Sequence, residues 1–194
     1  MGRAYAQHMS MTALRRFFVA AQAVHRKGKN MNPRNPNAAG TRALVRGAII
    51  AALYAATTLL FAPISYGEVQ VRISESLTLL PVLLPEAVPA LFVGCLLANI
   101  LGGCTIFDIV FGSLATLLAA EATQRLKQKR RLAALMPVLF NGVIVGSVVH
   151  YAYAPVIPLP LCMVFVAAGE AVSCCALGPI VLSMLRRLPG ELME

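Results

Sequence analysis

Most of this chain is apolar, so the polar side chains inside its long apolar stretches are where chemistry can be sought. Glu170 is the one acid between Leu132 and Leu185, a stretch with no lysine or arginine. Arg72 is the one lysine or arginine between Arg46 and Arg125. A charged side chain surrounded by hydrocarbon is unfavourable, so each such residue is expected to meet a partner, a cavity or a ligand. Glu170 is expected to face the interior and accept from a ligand, a cation or a donor such as Asn141; the alternative is a hydrogen bond that only joins two helices. A carboxylate presents two oxygens side by side and can take two N–H donors at once. Asn141 and Asn99 add amides, and Asp108, Glu68 and Glu75 add acids able to pair with a cation. Tyr66 could stack on a planar ring. Helix capping beside Gly102-Gly103 is the alternative for Asp108 and Asn99. For Arg72 and Glu75, three residues apart, it is a local ion pair. His150 reads as an interfacial side chain.

Several chemistries are excluded. There is no P-loop, no H-E-x-x-H and no G-x-S-x-G, so the chain has no means of hydrolysing ATP, and active transport would need an outside energy source. The five cysteines contain no C-x-x-C pair and read as small buried residues; no metal or cofactor is expected. The net charge of +9 suggests nucleic acid, but the basic residues sit in the flanks and one loop and not along a groove-fitting helix, so none is expected to bind.

The elements that must position these side chains follow from composition. Hydrophobic residues make up 58% and charged residues 13%, against about 25% charged in an ordinary soluble domain. A lipid bilayer supplies the missing burial, and the fold expected is an all-α integral membrane protein. Helices are predicted at about 44–61, 105–123, 132–151 and 162–185, with Pro179 as a kink in the last. The stretch Leu77–Leu101 is apolar but carries Pro81, Pro85 and Pro89, and is predicted to be a helical hairpin turning at Pro85-Glu86. That gives six transmembrane helices. It also puts nine basic residues up to Arg46, five in Arg125–Arg131 and two at Arg186-Arg187 on one side, with Arg72 alone on the other. Such a bias marks the cytoplasmic side, so both termini are expected there, in a multi-pass cell-membrane protein. Polar residues then gather in the outer half, suggesting a pocket open to the exterior under the first outer loop. Residues 1–40 read as a basic, disordered leader, or as an upstream extension with Met31 as the working start; 41–190 form the membrane domain. Gly47, Ala51 and Ala55 mark one face of the first helix, with Ala48, Ala52 and Ala56 beside it, which would let another helix approach closely, from this chain or from a partner subunit.

The run Val69–Pro81 (VQVRISESLTLLP) resembles the QueT family, the substrate-binding (S) components of energy-coupling factor transporters. The resemblance continues through Leu91–Asn99, Asp108–Thr116 and Leu139–Gly142, and spans about Thr41 to Arg187. It implies a compact six-helix bundle that captures a queuosine precursor, a 7-deazaguanine, from outside. It implies partners as well: a transmembrane coupling protein and two ATPases, docked partly through an alanine-rich first helix, a role that Ala48, Ala52 and Ala56 fit. A guanine-like edge suits Glu170, with Asn141 or Asn99 reading the carbonyl and ring nitrogen; an aminomethyl cation would suit Asp108, Glu68 or Glu75. The competing readings are a self-sufficient proton-coupled secondary transporter using Glu170 and His150, an S component for another vitamin-like substrate, and a membrane enzyme with Asp108 and Glu170 as a carboxylate pair. No internal repeat is evident, which weighs against the secondary transporter.

Overall fold

A computed structural model of the protein describes residues 36–66 and 71–187. Among these, all regular structure is helical: α1 (Pro36–Leu60), α2 (Ala62–Ser65), a 3₁₀ helix (Ile73–Val82), α3 (Ala87–Leu101), α4 (Ser113–Arg125), α5 (Arg130–Ala152), α6 (Leu159–Ala171) and α7 (Gly178–Arg186). Glu68 and residues 1–35 lie outside the described residues. The first helix starts at Pro36 rather than near Leu44, taking in the end of the expected leader. Proline suits the first turn of a helix, where its missing N–H has no partner to lose.

Among the described residues, three helices are long and apolar enough to cross a membrane: Gly40–Leu60, Arg130–Ala152 and the run Leu159–Arg186. Ile73–Val82 and Ala87–Leu101 are shorter apolar helices. The break between them falls at Leu83–Glu86, where the hairpin turn was predicted, but its first arm is a ten-residue 3₁₀ helix and not an α-helix. At about 2.0 Å per residue this winding stretches further than an α-helix of equal length. Arg46 Nε lies 2.6 Å from Glu86 Oε1, which sets the turn against the first half of α1. At the opposite end α3 stops at Gly102-Gly103, where Gly103 takes the left-handed φ of 70°.

Prolines reshape the later helices. Pro137 cannot bond the Ala133 carbonyl one turn back, and the Thr123 hydroxyl of α4 donates to that oxygen instead, at 3.1 Å. Where a kink at Pro179 was expected, a π-helical turn, Val172–Leu177, stands just before the proline, and Pro179 sits in the first turn of α7. A second π turn, Asp108–Gly112, leads into α4. Helices α5 and α6 meet through Gly142 and Gly146, where an added Cβ would stand 2.9 Å from the Ala167 Cβ and 2.6 Å from the Met163 Cα. Small residues four apart allow such close packing in lipid.

Apolar side chains form two buried groups. One joins α1, the hairpin and α3 around Tyr54, Leu91 and Cys95. The other joins α4, α5 and α6 around Ala115, Val145 and Val166. Large apolar side chains such as Leu101, Phe107, Val156 and Met184 are exposed, as expected of a surface that faces lipid.

Candidate functional site

Between the two apolar groups lies a buried polar cluster. Arg72, Glu75, Asn99, Asp108, Asn141 and Glu170 are each between 0 and 2% exposed. The sequence suggested an open pocket; in this conformation the site is closed, because Arg72 and the following 3₁₀ helix fold inward from the loop.

The cluster has two parts. In the outer part, Arg72 Nη2 stands 3.5 Å from Asp108 Oδ2, and the guanidinium lies 5.7 Å from the centre of the Tyr66 ring. Tyr66 donates to the Ala98 carbonyl at 2.8 Å, and burial pushes its phenol pKa up, so it stays a neutral donor. Tyr66 therefore bridges the first loop to α3 and lies over Arg72. Asn99 donates to the Asp108 backbone carbonyl at 3.1 Å, and Tyr153 donates to Asp108 Oδ2 at 3.4 Å. Asp108 and Asn99 are thus interior residues and make no side-chain cap bonds. Arg72 pairs with Asp108 rather than with its neighbour Glu75.

The inner part is built on Glu75. Its Oε1 accepts from the Tyr54 hydroxyl and from the Thr116 hydroxyl, the latter at 3.2 Å. Its Oε2 has no hydrogen-bond partner among the described residues. Glu170 stands near enough to Glu75 for the two charges to interact, and Glu170 Oε2 accepts from the Cys174 thiol at 3.6 Å. Asn141 lies beside both carboxylates, yet neither its Nδ2 nor its Oδ1 meets hydrogen-bond geometry. Cys95 joins the two parts, with Arg72 Nη1 at 3.9 Å and Thr116 Oγ1 at 3.4 Å from its sulfur.

The local folding explains this convergence. Glu170 lies eleven residues into α6, about 16 Å along its axis. It is therefore deeper than a helix starting at Cys162 would place it. Asn141 is one turn past Pro137 and next to Gly142, one of the two glycines through which α5 and α6 pack closely. Both π turns serve the site: one carries Asp108, and the other carries Cys174. Such turns often mark functional positions because they redirect side chains.

Arg72, Glu75, Asn99, Asp108, Asn141 and Glu170 therefore all come to one buried region, with Tyr66 at its outer edge. Sequence reasoning missed Tyr54, Thr116, Cys95, Cys174 and Tyr153. Two carried a weak signal: Thr58 follows Tyr54, and Cys174 follows Glu170, one helical turn on and on the same face. His150 stands apart, with Nδ1 2.8 Å from the Ile157 carbonyl, and ties down the loop after α5. Ala51 and Ala55 face the core at 7% exposure, whereas Ala48 is exposed and Ala52 and Ala56 are half-buried. Among the described residues no group of three or more His, Cys, Asp or Glu side chains could hold a metal ion. The arrangement suits binding of a small polar molecule: unpaired acceptors and an amide converge in a buried interior.

Comparison with curated proteins and with solved structures gives no match. The family model described as QueT transporter matches residues 44–187. That span includes every described site residue, and the chain belongs to the QueT transporter family.

Proposed function

We propose that this membrane transporter subunit is the substrate-binding component of an energy-coupling factor importer, and that it captures a 7-deazaguanine precursor of queuosine. The observation that carries the reading is the inner cluster: Glu75 Oε2 and both polar atoms of Asn141 are buried without partners beside Glu170. A buried polar atom left unpaired costs roughly 1–3 kcal/mol, and a ligand that supplies the missing partners recovers it. One carboxylate would accept the adjacent N–H and NH₂ of a guanine-like edge, and Asn141 would read the neighbouring carbonyl. The described cluster holds three carboxyl groups and a single guanidinium, so a ligand carrying a cation would find carboxyl groups that are not paired with Arg72. The aminomethyl form fits that description better than the cyano form.

The chain is proposed to cross the membrane six times, with both termini in the cytoplasm. The Arg46–Glu86 pair supports this, since it puts the hairpin turn at the basic end. Ala48, Ala52 and Ala56, on the outward side of α1, would dock the transmembrane coupling protein, and two ATPase subunits would supply the energy. Mass spectrometry of small molecules copurifying with the chain, joined to uptake in liposomes, tests the reading. The expected result is a copurifying deazaguanine and no uptake by the chain alone. Uptake driven by a proton gradient without other subunits would refute it in favour of a secondary transporter.

A further inference from the structure

A cavity of about 490 Å³ lies beside Arg130, Arg131 and Arg186, and neither Glu75, Asn141 nor Glu170 lines it. Leu79, Val82 and Leu182 contribute apolar wall, and Arg130, Arg131 and Arg186 stand along the same cavity. The ion pairs among the described residues engage Arg46, Arg72 and Arg125, and among those residues Arg130, Arg131 and Arg186 have no carboxylate partner. All three are exposed. Helix α5 begins at Arg130 with no acid in its first turn and no side-chain cap. Its first N–H groups therefore add positive potential to that of the guanidiniums.

We propose that this cavity binds one anionic phospholipid, with its phosphate on Arg130, Arg131 and Arg186 and an acyl chain along the Leu79–Val82–Leu182 wall. Charge and polarity together select this occupant. A soluble anion would use the arginines and leave the apolar wall uncovered. A neutral lipid would cover the wall and leave three cations unanswered. The two features meet at the end of the bundle where the basic residues concentrate, the level at which anionic headgroups of the cytoplasmic leaflet lie. Basic pockets between membrane helices on that side bind such headgroups, each nearby cation adding several-fold in affinity. Holding a lipid there would also brace the C-terminal end of α7 against the start of α5.

The test is native mass spectrometry of the full chain in detergent, titrated with phosphatidylglycerol or with phosphatidylcholine of identical acyl chains. One phosphatidylglycerol is expected to be retained at least tenfold more tightly than phosphatidylcholine. The triple variant Arg130→Gln, Arg131→Gln, Arg186→Gln should lose roughly a hundredfold in affinity. A charge-matched variant off the cavity, Lys127→Gln, Lys129→Gln, Arg187→Gln, should keep it, and inorganic phosphate in excess should not displace the lipid. Equal retention of the two lipids by the unmodified chain overturns the proposal whether or not the variants fold. So does equal loss in both triple variants, which would mean general surface charge. Displacement by inorganic phosphate would mean a site for a soluble anion. Binding only after truncation at Arg187 would mean that the chain's own Glu191 and Glu194 fill the cavity.

Discussion

Replacing Glu75 by glutamine separates what this side chain does for the fold from what it does for a ligand. In the folded chain Oε1 accepts from Tyr54 and Thr116, while Oε2 is buried without a partner. The glutamine carbonyl can keep both hydroxyl bonds, so the anchoring survives. The amide NH₂ then takes the place of Oε2 and turns the free acceptor into a donor. A ligand N–H that met a carboxylate now meets an N–H. Hydrogen bonds to charged groups contribute about 1.5–3 kcal/mol, so binding should weaken by roughly 10- to 150-fold. Thermal stability without ligand should change little. Alanine behaves differently: it removes Oε1 too and leaves the buried Tyr54 hydroxyl unpaired, at about 1–3 kcal/mol, while Thr116 can still donate to the Gly112 carbonyl, so it should lower stability as well as binding. Isothermal titration with aminomethyl-deazaguanine, beside melting in detergent, reads both effects. Unchanged affinity for Glu75→Gln with a lowered melting temperature would refute the reasoning and make Glu75 a purely structural residue.

Glu170→Gln should weaken the same ligand at least tenfold, and Asn141→Ala should weaken it less, since a water can replace the amide; titration of each variant checks the order. Thr123→Val should leave the Ala133 carbonyl without its donor and destabilise the chain by roughly 1–3 kcal/mol, with ligand affinity unchanged, as melting and titration together would reveal. Ala56→Leu should impair uptake by the assembled importer while sparing ligand binding by the isolated chain. Gly94→Ala should fail to fold properly, because its Cβ would stand 2.7 Å from the Ala51 carbonyl oxygen, and loss of a monodisperse peak in size-exclusion chromatography would report it.

The break at Pro85-Glu86 was legible because proline lacks the N–H that a helix interior needs and a charged side chain is unfavourable inside hydrocarbon. The 3₁₀ winding before it was not legible, since that depends on how the segment packs against α1, α4 and α7. Glu170 and Asn141 stood out as polar residues inside apolar helices, and both lie in the site. Glu75 was read as an acid able to pair with a cationic ligand or with Arg72, three residues before it. It is buried because hydroxyls 21 residues before it and 41 after it, on Tyr54 and Thr116, offer partners that sequence proximity cannot reveal. The same holds for Arg72, whose partner Asp108 is 36 residues away. Spacing along the chain suggested the Glu75 pair instead.

The central claim is that the isolated chain binds a cationic deazaguanine in the cluster around Glu75, Asn141 and Glu170. Isothermal titration of the purified, folded chain with the aminomethyl and cyano forms tests it most directly. The account predicts that the aminomethyl form binds at least tenfold more tightly, because only it brings a cation to the carboxyl groups that Arg72 leaves unpaired. Binding of neither form to a sample with intact helical signal would contradict the account.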